Sequence, residues 1–277
     1  MSPMDQPEIG KCNRHQVLLV ILGIRDKFRG KELQDDLLQK EIPFTRVDGL
    51  DAKESRIPES WKNQKRSHFL IGRELTETEI ACSWGHMRAL QTGNVEEVEW
   101  TLIVEDNVAP LNIVEIYESL TSLMISEPTL ISFFSAKEYN FPTRNKEFEN
   151  SMILRKTVSV PTGTKCYAVN KSGLTHLVNL YNRYGFQGYL ADFPLFYTNK
   201  ISIVLCDSYP IQLITSESLI GERSNLAKSS KLKRIYSAEW GSIFSWLKSE
   251  NVSFMTFLRF TLFRTLAHAL NRTIFFK

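Results

Sequence analysis

The sequence is poor in cysteine and contains no long apolar run, and each shortage excludes a class of protein. The four cysteines, Cys12, Cys82, Cys166 and Cys206, are widely spaced and form no CxxC pair. This argues against a structural zinc site and a disulfide framework. No window reaches about 18 uninterrupted apolar residues, so no transmembrane helix is expected. Residues 1–14 lack the apolar core of a signal peptide and are predicted to be a flexible leader. These features predict a cytosolic protein with reduced thiols.

The charge is unevenly distributed along the 277 residues. Residues 223–277 contain ten Lys and Arg and two Glu, a formal charge of +8, whereas residues 1–222 carry −5. A basic tail of this kind indicates contact with a polyanion, either nucleic acid or an anionic lipid surface. The 43% apolar content is ordinary for a globular protein. We therefore expect one main domain over residues 15–222, followed by a separate tail.

The stretch TLIVEDNV at residues 101–108 is the strongest candidate for a functional site. Its apolar half predicts a buried strand of a parallel sheet. Glu105, Asp106 and Asn107 would then lie at the carboxyl end of that strand, which faces the ligand crevice in open α/β sheets. Hard oxygen ligands suit Mg²⁺ or Mn²⁺, which in turn hold a diphosphate. An ordinary strand end with a solvated acidic turn is the alternative.

A second apolar run, QVLLVILGI at residues 16–24, predicts a central strand. Gly23 near its end permits close approach of the backbone to a ligand. Basic residues follow at once on the next loop and on a helix predicted over 29–40: Arg25, Lys27, Arg29 and Lys31. This loop suits a nucleotide's phosphates, and it equally suits the solvated start of a helix.

The next predicted strand, residues 42–47, ends in Asp48 and Gly49. Asp48 either presents its carboxylate to a ribose hydroxyl or forms a simple turn. Residues 51–70 are polar and irregular, and they indicate a loop over the crevice.

A helix is predicted to begin near Thr76 and to end near Gly93, because Thr76 with Glu79 three residues later forms a capping-box pattern. Four residues at helical spacing give its buried face: Ile80, Trp84, Met87 and Leu90. His86 lies beside this face, either as a core residue or as a ligand.

The rest of the main domain alternates between helices and strands. Helices are predicted over 111–126 and 171–184, and strands over 130–135, 153–160, 163–169 and 201–206. Residues 137–150 indicate a loop beside the site. Asp192 stands among apolar residues, so it either caps a helix or takes part in chemistry.

The tail ends in an aromatic-rich segment, residues 253–277. Arg264, His268 and Arg272 are four residues apart, so on a helix they share one side while the rest is largely apolar. Such a helix typically lies in a membrane interface. The alternative is a helix that packs on the main domain or on a second subunit of a homo-oligomer. Its aromatics do not alternate with basic residues as stacking platforms would, so no nucleic-acid partner is expected.

Taken in order and spacing, these motifs resemble glycosyltransferase family 25 over residues 16–225. The resemblance rests on FTRVDG at 44–49, RELTETEIAC at 73–82 with His86 to Leu90 after it, LIVED at 102–106, GTKCY at 163–167, and Asp192. The family includes bacterial β-galactosyltransferases that extend lipopolysaccharide and lipooligosaccharide.

The resemblance implies an α/β fold of the glycosyltransferase-A type, a Rossmann-like mixed sheet flanked by helices, here followed by the basic amphipathic tail. It implies inverting transfer of a sugar, usually galactose, from a UDP-sugar donor to a saccharide or lipid-linked oligosaccharide acceptor. The lipid-linked acceptor would be met at the inner face of the bacterial cytoplasmic membrane, with residues 236–277 bound to its anionic surface.

Roles for individual residues follow from the same resemblance. Asp192 is the predicted general base or acceptor contact, and Asp106 the second catalytic residue. The metal, Mn²⁺ or Mg²⁺, is assigned to Glu105, Asp106 and Asn107. The donor is assigned to residues on the basic loop, the strand ends and the helix start: Gly23, Arg25, Asp48, Arg73, Glu79, Glu105 and Asp106. Arg29 is a further candidate to offset the charge of UDP.

The sequence departs from the family pattern at two places. The family has Glu-Asp-Asp where this chain has Glu105, Asp106 and Asn107. An amide oxygen coordinates a metal without bringing charge, so metal affinity should fall. The family also shows an Asn-Leu pair on the first strand, where this chain has Leu22, Gly23 and Ile24. Asn107 leaves open metal-independent chemistry, or a glycosyltransferase-like binding protein that has lost catalysis. Transfer of glucose or N-acetylglucosamine is a separate alternative.

Overall fold

The computed structural model describes residues 17–58, 75–96, 98–134, 147–149, 152–156, 163–184 and 200–214, together with residue 248. Several predictions lie outside these residues and are not addressed by the structure. They concern the leader at 1–14, Arg73, Asp192, and the tail at 223–277 apart from residue 248.

In the described part of the chain, eight strands form one mixed sheet in the order β2-β1-β3-β7-β4-β8-β6-β5. Their bounds are β1 (Val17–Ile24), β2 (Phe44–Gly49), β3 (Trp100–Glu105), β4 (Thr129–Ser132), β5 (Glu147–Glu149), β6 (Met152–Lys156), β7 (Cys166–Asn170) and β8 (Ser202–Cys206). Four named helices lie within the described ranges 17–214: α1 (Lys31–Gln39), α2 (Glu77–Glu96), α3 (Ile113–Thr121) and α4 (Lys171–Tyr184). A 3-10 turn (Arg25–Lys27) joins β1 to the loop before α1. The predicted Rossmann-like α/β class, with a mixed sheet flanked by helices, is confirmed.

The sheet is covered on both faces because consecutive residues of its central strands point to opposite sides. On β1, Leu19 and Ile21 pack in the cluster that contains the α1 residues Leu33 and Leu37. Val20 and Leu22, in the alternate positions, pack in the cluster that holds residues of α2 and α4. A strand buried on both faces needs a continuous apolar run. This need explains why residues 17–24 and 100–104 were recognisable in the sequence.

The apolar run of β3 suggested a strand in a purely parallel sheet. Instead, β3 lies in a mixed sheet. It pairs in parallel with β1 but antiparallel with β7, where Val104 lies opposite Cys166. The antiparallel direction brings the start of β7 beside the end of β3, and the Glu105 N–H donates to the Lys165 carbonyl at 2.8 Å. As a consequence, residues that precede β7 contribute to the site at the carboxyl end of β3.

Helix α2 approaches the sheet closely at one point. A Cβ atom placed on Gly93 would lie 2.1 Å from Thr101 Oγ1 on β3. No side chain can occupy that space, so glycine permits the helix to rest directly on the strand. Its buried face is built mainly from small residues, including Ala81, Gly85 and Ala89, whereas Trp84 and Met87 are only partly buried. Of the four large residues predicted to be buried, Ile80 and Leu90 are buried, whereas Trp84 and Met87 are not fully buried.

Element boundaries differ from the sequence expectations by a few residues. Helix α1 is shorter than the predicted 29–40, and α3 is shorter than 111–126. Residues 147–149, predicted as loop, form β5, which pairs antiparallel with β6. No helix in the described part of the chain is both long and apolar enough to cross a bilayer.

Candidate functional site

A cavity of about 220 Å³ opens at the carboxyl ends of the parallel strands β1, β2 and β3. These strand ends and helix α2 line it. The lining includes Gly23, Gly49, His86, Lys165 and the triplet Glu105, Asp106 and Asn107. The structure therefore brings together the ends of the strands that the sequence singled out, at the edge of the sheet where ligands of α/β proteins bind.

Asp106 is buried and held by Arg29. Only 3% of the Asp106 side chain is exposed, and Arg29 Nη2 lies 2.7 Å from Oδ1. The backbone N–H of Arg29 donates to the other oxygen, Oδ2, at 3.2 Å. The Asp106 N–H donates to the Leu22 carbonyl at 2.9 Å, which continues the β1–β3 pairing past the end of β3. A buried carboxylate needs such partners, because an unpaired one loses its hydration without compensation.

Gly23 makes room for this carboxylate. A Cβ atom on Gly23 would lie 2.7 Å from Asp106 Oδ2 and 2.8 Å from the Phe28 ring. The sequence predicted that Gly23 allows a ligand to approach the backbone closely. Gly23 does line the cavity, but the groups that approach it within the protein are Asp106 and Phe28. The donor-binding role of Gly23 stays a prediction.

Glu105 lies at the end of a chain of hydrogen bonds that begins in the core. Lys165 Nζ donates to Oε2 at 2.5 Å, and the Thr164 hydroxyl donates to Oε1 at 3.2 Å. Thr164 Oγ1 lies 3.0 Å from His86 Nε2, and His86 Nδ1 lies 3.0 Å from the Tyr167 hydroxyl. A hydroxyl carries one proton, so Thr164, which donates to Glu105, accepts from His86 Nε2–H. The side chains form a continuous path from Tyr167 to the cavity.

These partners keep Glu105 ionised. Burial of the carboxyl raises its pKa, but the His86 imidazole and the Lys165 ammonium lower it by more, so the pKa falls from 4.5 to about 2. His86 Nε2 is 3.5 Å from Glu105 Oε1. Hydrogen bonds and positive charges near a carboxylate stabilise its charged form more than burial destabilises it.

His86 is buried, with 1% of its surface exposed. The sequence left it open whether His86 is a satisfied core residue or a ligand. Both ring nitrogens have partners, so His86 is satisfied within the protein. Its ring also lines the cavity and supports Glu105 through Thr164.

Two predicted donor contacts, Arg25 and Asp48, form an ion cluster with Arg46 near the end of β2. Arg25 Nη2 lies 2.6 Å from Asp48 Oδ2, and 76% of the Arg25 side chain is exposed. Arg46 Nη2 lies 3.1 Å from the other Asp48 oxygen, and its guanidinium stacks 4.1 Å from the Phe28 ring centre. The Asp48 carboxylate is thus engaged by two arginines, and its contact with a ribose stays a prediction.

Glu79 and Thr76 form the predicted capping box. The Thr76 N–H donates to Glu79 Oε2 at 3.0 Å, and the Glu79 N–H donates to Thr76 Oγ1 at 3.2 Å. Two N–H groups at the start of α2 are satisfied in this way. This confirms the structural part of the prediction, while a role of Glu79 in donor binding stays a prediction.

The described residues do not form a ready ligand set for a divalent metal. They contain no group of three His, Cys, Asp or Glu that could hold one. Both Asp106 oxygens accept from Arg29, and the Glu105 oxygens accept from Lys165 and Thr164. Asn107 differs, since its buried Oδ1 has no hydrogen-bond partner. The residues present thus do not fit a metal as they are arranged, and Mn²⁺ or Mg²⁺ would have to displace Arg29 or Lys165.

Two features of the site were missed by the sequence analysis. The Lys165 ammonium and the His86–Thr164 link to Glu105 depend on β7 lying antiparallel to β3. The motif at 163–167 was noted as a strand near the crevice, but nothing local indicates which strand it pairs with. Gly163, two residues before Lys165, has φ of +95°, a backbone conformation that glycine adopts readily.

Three solved structures are distantly similar to this chain. A197 from STIV is 12% identical, with a TM-score of 0.40, and the match covers 77% of this chain and 94% of that one. The mannose-1-phosphate geranyltransferase from Thermus thermophilus is 12% identical, with a TM-score of 0.37 and coverage of 71% and 76%. A glycosyltransferase involved in the glycosylation of the major capsid of PBCV-1 is 13% identical, with a TM-score of 0.31 and coverage of 68% and 80%. Similarity at this level carries no argument about function. No curated protein matches the chain.

Membership of a family is shown by the sequence itself. The model of glycosyltransferase family 25, described as an LPS biosynthesis protein, matches residues 17–193, which is more than half of the chain. The match spans β1 to α4 and includes Gly23, the triplet that begins at Glu105, and Lys165. The mixed α/β sheet agrees with the fold class that the resemblance to this family implied. The chain therefore belongs to glycosyltransferase family 25 and is a glycosyltransferase of that family.

Proposed function

We propose that the protein transfers a sugar, galactose in the first instance, from a UDP-sugar to a saccharide acceptor in a surface glycan. The observation that carries this proposal is the cavity at the ends of β1, β2 and β3, which is lined by Glu105, Asp106 and Asn107 within the matched family region. A pocket at this edge of a sheet, with a few convergent charged groups among apolar ones, suits a nucleotide-sugar.

Transfer with inversion would take place in one displacement. The acceptor hydroxyl attacks C1 of the sugar as the bond from C1 to the UDP oxygen breaks. The hydroxyl proton passes to a general base, and UDP leaves with the electron pair of the broken bond. The protein's tasks are to orient both substrates, to accept the proton, and to stabilise the charge that develops on UDP. Asp192 is the proposed base, and Asp106 is proposed to act beside the donor, held in place by Arg29.

A divalent ion is a separate part of the proposal. If Mn²⁺ binds at Glu105, Asp106 and Asn107, replacing the neutral amide of Asn107 by a carboxylate should tighten its binding. Isothermal titration of Mn²⁺ into the wild type and Asn107→Asp measures this. Equal affinity in the two proteins would remove Asn107 from the set of ligands.

The tail supplies the proposed link to a lipid-bound acceptor. Residues 236–277 combine aromatic and basic residues as interfacial helices do, and residues 223–234 add further basic groups. The proposal predicts that the full-length protein co-sediments with vesicles containing anionic lipid, less so at high salt, and that a protein ending near Ser230 does not. Equal binding of the shortened protein would contradict it.

The proposed activity is tested by incubating the protein with UDP-galactose, UDP-glucose and UDP-N-acetylglucosamine, with and without Mn²⁺, and measuring UDP release with a saccharide acceptor. UDP-galactose should be turned over fastest. Asp106→Ala should lower the rate by about 10²–10³, as loss of a charge-stabilising contact does. Binding of UDP-sugars without turnover of any would instead favour the second candidate, a glycosyltransferase-like binding protein, to which the neutral Asn107 points.

A further inference from the structure

We propose that Lys165 binds the diphosphate of the nucleotide-sugar, and that Glu105 positions the Lys165 ammonium for this contact. The inference rests on the proposed function, because it assigns a residue to the donor that the function requires. Lys165 was not among the donor-binding residues predicted from the sequence.

Lys165 reaches the cavity from a fixed backbone. It is the residue before β7, and its carbonyl accepts the Glu105 N–H at 2.8 Å. Its side chain lines the cavity and is 22% exposed. Nζ lies 2.5 Å from Glu105 Oε2. Lys165 is therefore tied to Glu105 twice, through its backbone carbonyl and through its ammonium.

The Glu105 carboxylate is held in turn by residues on its core side. Oε1 accepts from Thr164, which contacts His86, and His86 contacts Tyr167 in the core. A flexible lysine normally loses rotamer freedom when it binds a ligand, and this loss weakens binding. Here the loss occurs on folding, so Lys165 is already oriented toward the cavity.

The chemistry of the ammonium suits a phosphate. A lysine carries three N–H donors, and in the described part of the chain Glu105 accepts one of them. The other donors suit the oxygens of a diphosphate, for which lysine is a common partner. Among the other basic groups, Lys27 is held by Asp51 and Glu54, and Arg29 by Asp106. Lys27, Lys53 and Lys165 all line the cavity, and Lys165 does so beside Glu105 and Asp106.

The test compares binding of UDP and of uridine, which lacks phosphate, to Lys165→Met and Lys165→Arg. Titration calorimetry serves for UDP, and ligand-observed NMR for uridine. The control is Lys171→Met, which removes the same charge at the opposite end of β7, where Lys171 is exposed. Lys165→Met should weaken UDP about ten- to a hundredfold, as loss of a hydrogen bond to a charged group does. Uridine affinity should not change, Lys165→Arg should restore part of the UDP affinity, and Lys171→Met should bind UDP as the wild type does.

Three results with the variants overturn the inference. Wild-type UDP affinity in Lys165→Met would remove Lys165 from the diphosphate site. An equal loss of affinity for uridine and for UDP in both Lys165 variants would show that Lys165 only maintains the shape of the cavity. Equal loss of UDP affinity in Lys171→Met would show a general effect of charge.

If the wild type binds GDP or ADP in place of UDP, the proposed donor is wrong. The same comparison, made with that nucleotide and its nucleoside, still tests Lys165. If the wild type binds neither nucleoside diphosphates nor pyrophosphate, both proposals fail.

Discussion

Arg29 holds both carboxylate oxygens of Asp106, one through its guanidinium at 2.7 Å and the other through its backbone N–H at 3.2 Å. The Arg29 side chain is 24% exposed and the Asp106 side chain 3%. Arg29→Met should therefore destabilise the protein more than Asp106→Asn, since it leaves the more deeply buried charge without the guanidinium. Urea unfolding of both variants and of the double variant should give a coupling free energy of about 1–3 kcal/mol.

The Lys40–Asp36 pair on α1 is the control for this cycle. Its atoms are 3.0 Å apart, but its side chains are 46% and 24% exposed. The coupling there should be about 0.3–0.5 kcal/mol, as for exposed pairs one helical turn apart. If the two pairs couple equally, burial does not strengthen the Arg29–Asp106 contact, and its part in fixing Asp106 would have to be abandoned.

Gly23→Ala should destabilise the protein by about 1–3 kcal/mol, the usual effect of overpacking. Its Cβ would lie 2.7 Å from Asp106 Oδ2, so the carboxylate would have to move away from Arg29. Gly49→Ala on the neighbouring strand is the matched control, because the nearest atom to its Cβ lies at an ordinary 3.5 Å. The free energy of unfolding of both variants decides the matter. A similar value for the two would show that Gly23 is not tightly packed.

Thr164→Val should destabilise the protein by about 1–3 kcal/mol, since it leaves polar atoms of Glu105 and His86 without a partner. Valine has nearly the shape of threonine, so packing should change little. Thr164→Ser keeps the hydroxyl and should restore most of the stability. Thr175→Val removes a hydroxyl that bonds Asn94 and Lys171 on the exposed side of α4, and it should change stability by less than about 0.5 kcal/mol. Thermal and urea unfolding of the three variants test the link that Thr164 makes between Glu105 and His86. That link would be contradicted if Thr164→Val were as stable as Thr175→Val.

Ionised Glu105 should stabilise the protein in a way that depends on pH. Its pKa is about 2 in the folded protein and 4.5 as an ordinary glutamate. Because the folded value is the lower one, the unfolded chain binds more protons between these values, and stability is lost as pH falls from about 4.5 to 2. At neutral pH the contribution is about 3 kcal/mol at most. In Glu105→Gln this contribution is absent at every pH, so the difference in stability from wild type should be largest near pH 7 and should shrink below pH 4.5. Urea unfolding of both proteins over this pH range is the measurement. A parallel loss of stability would show that Glu105 is not the source of this pH dependence.

Features that depend on neighbouring residues were predictable from the sequence, and features that depend on strand pairing were not. The Thr76–Glu79 capping box is set by a spacing of three residues, and β1 and β3 by apolar runs, so these were recognised. The direction of β7 depends on contacts between distant segments, and no local pattern encodes it. The Lys165–Glu105 contact follows from that direction. The same holds for Asp106: the sequence indicates a carboxylate at a strand end, but not that Arg29, 77 positions earlier, neutralises it.

The close contact between Gly93 and Thr101 connects a remote part of the core with the alignment of the site. Gly93 lies near the end of α2, and His86 lies two turns earlier on the same helix. A side chain at Gly93 would push this end of the helix away from β3 and tilt its axis, since Thr101 leaves no room. His86 would then withdraw from Thr164, although Gly93 does not line the cavity. Variation at this internal position would therefore alter substrate handling from a distance, and a screen for altered activity that is limited to the walls of the cavity would overlook it.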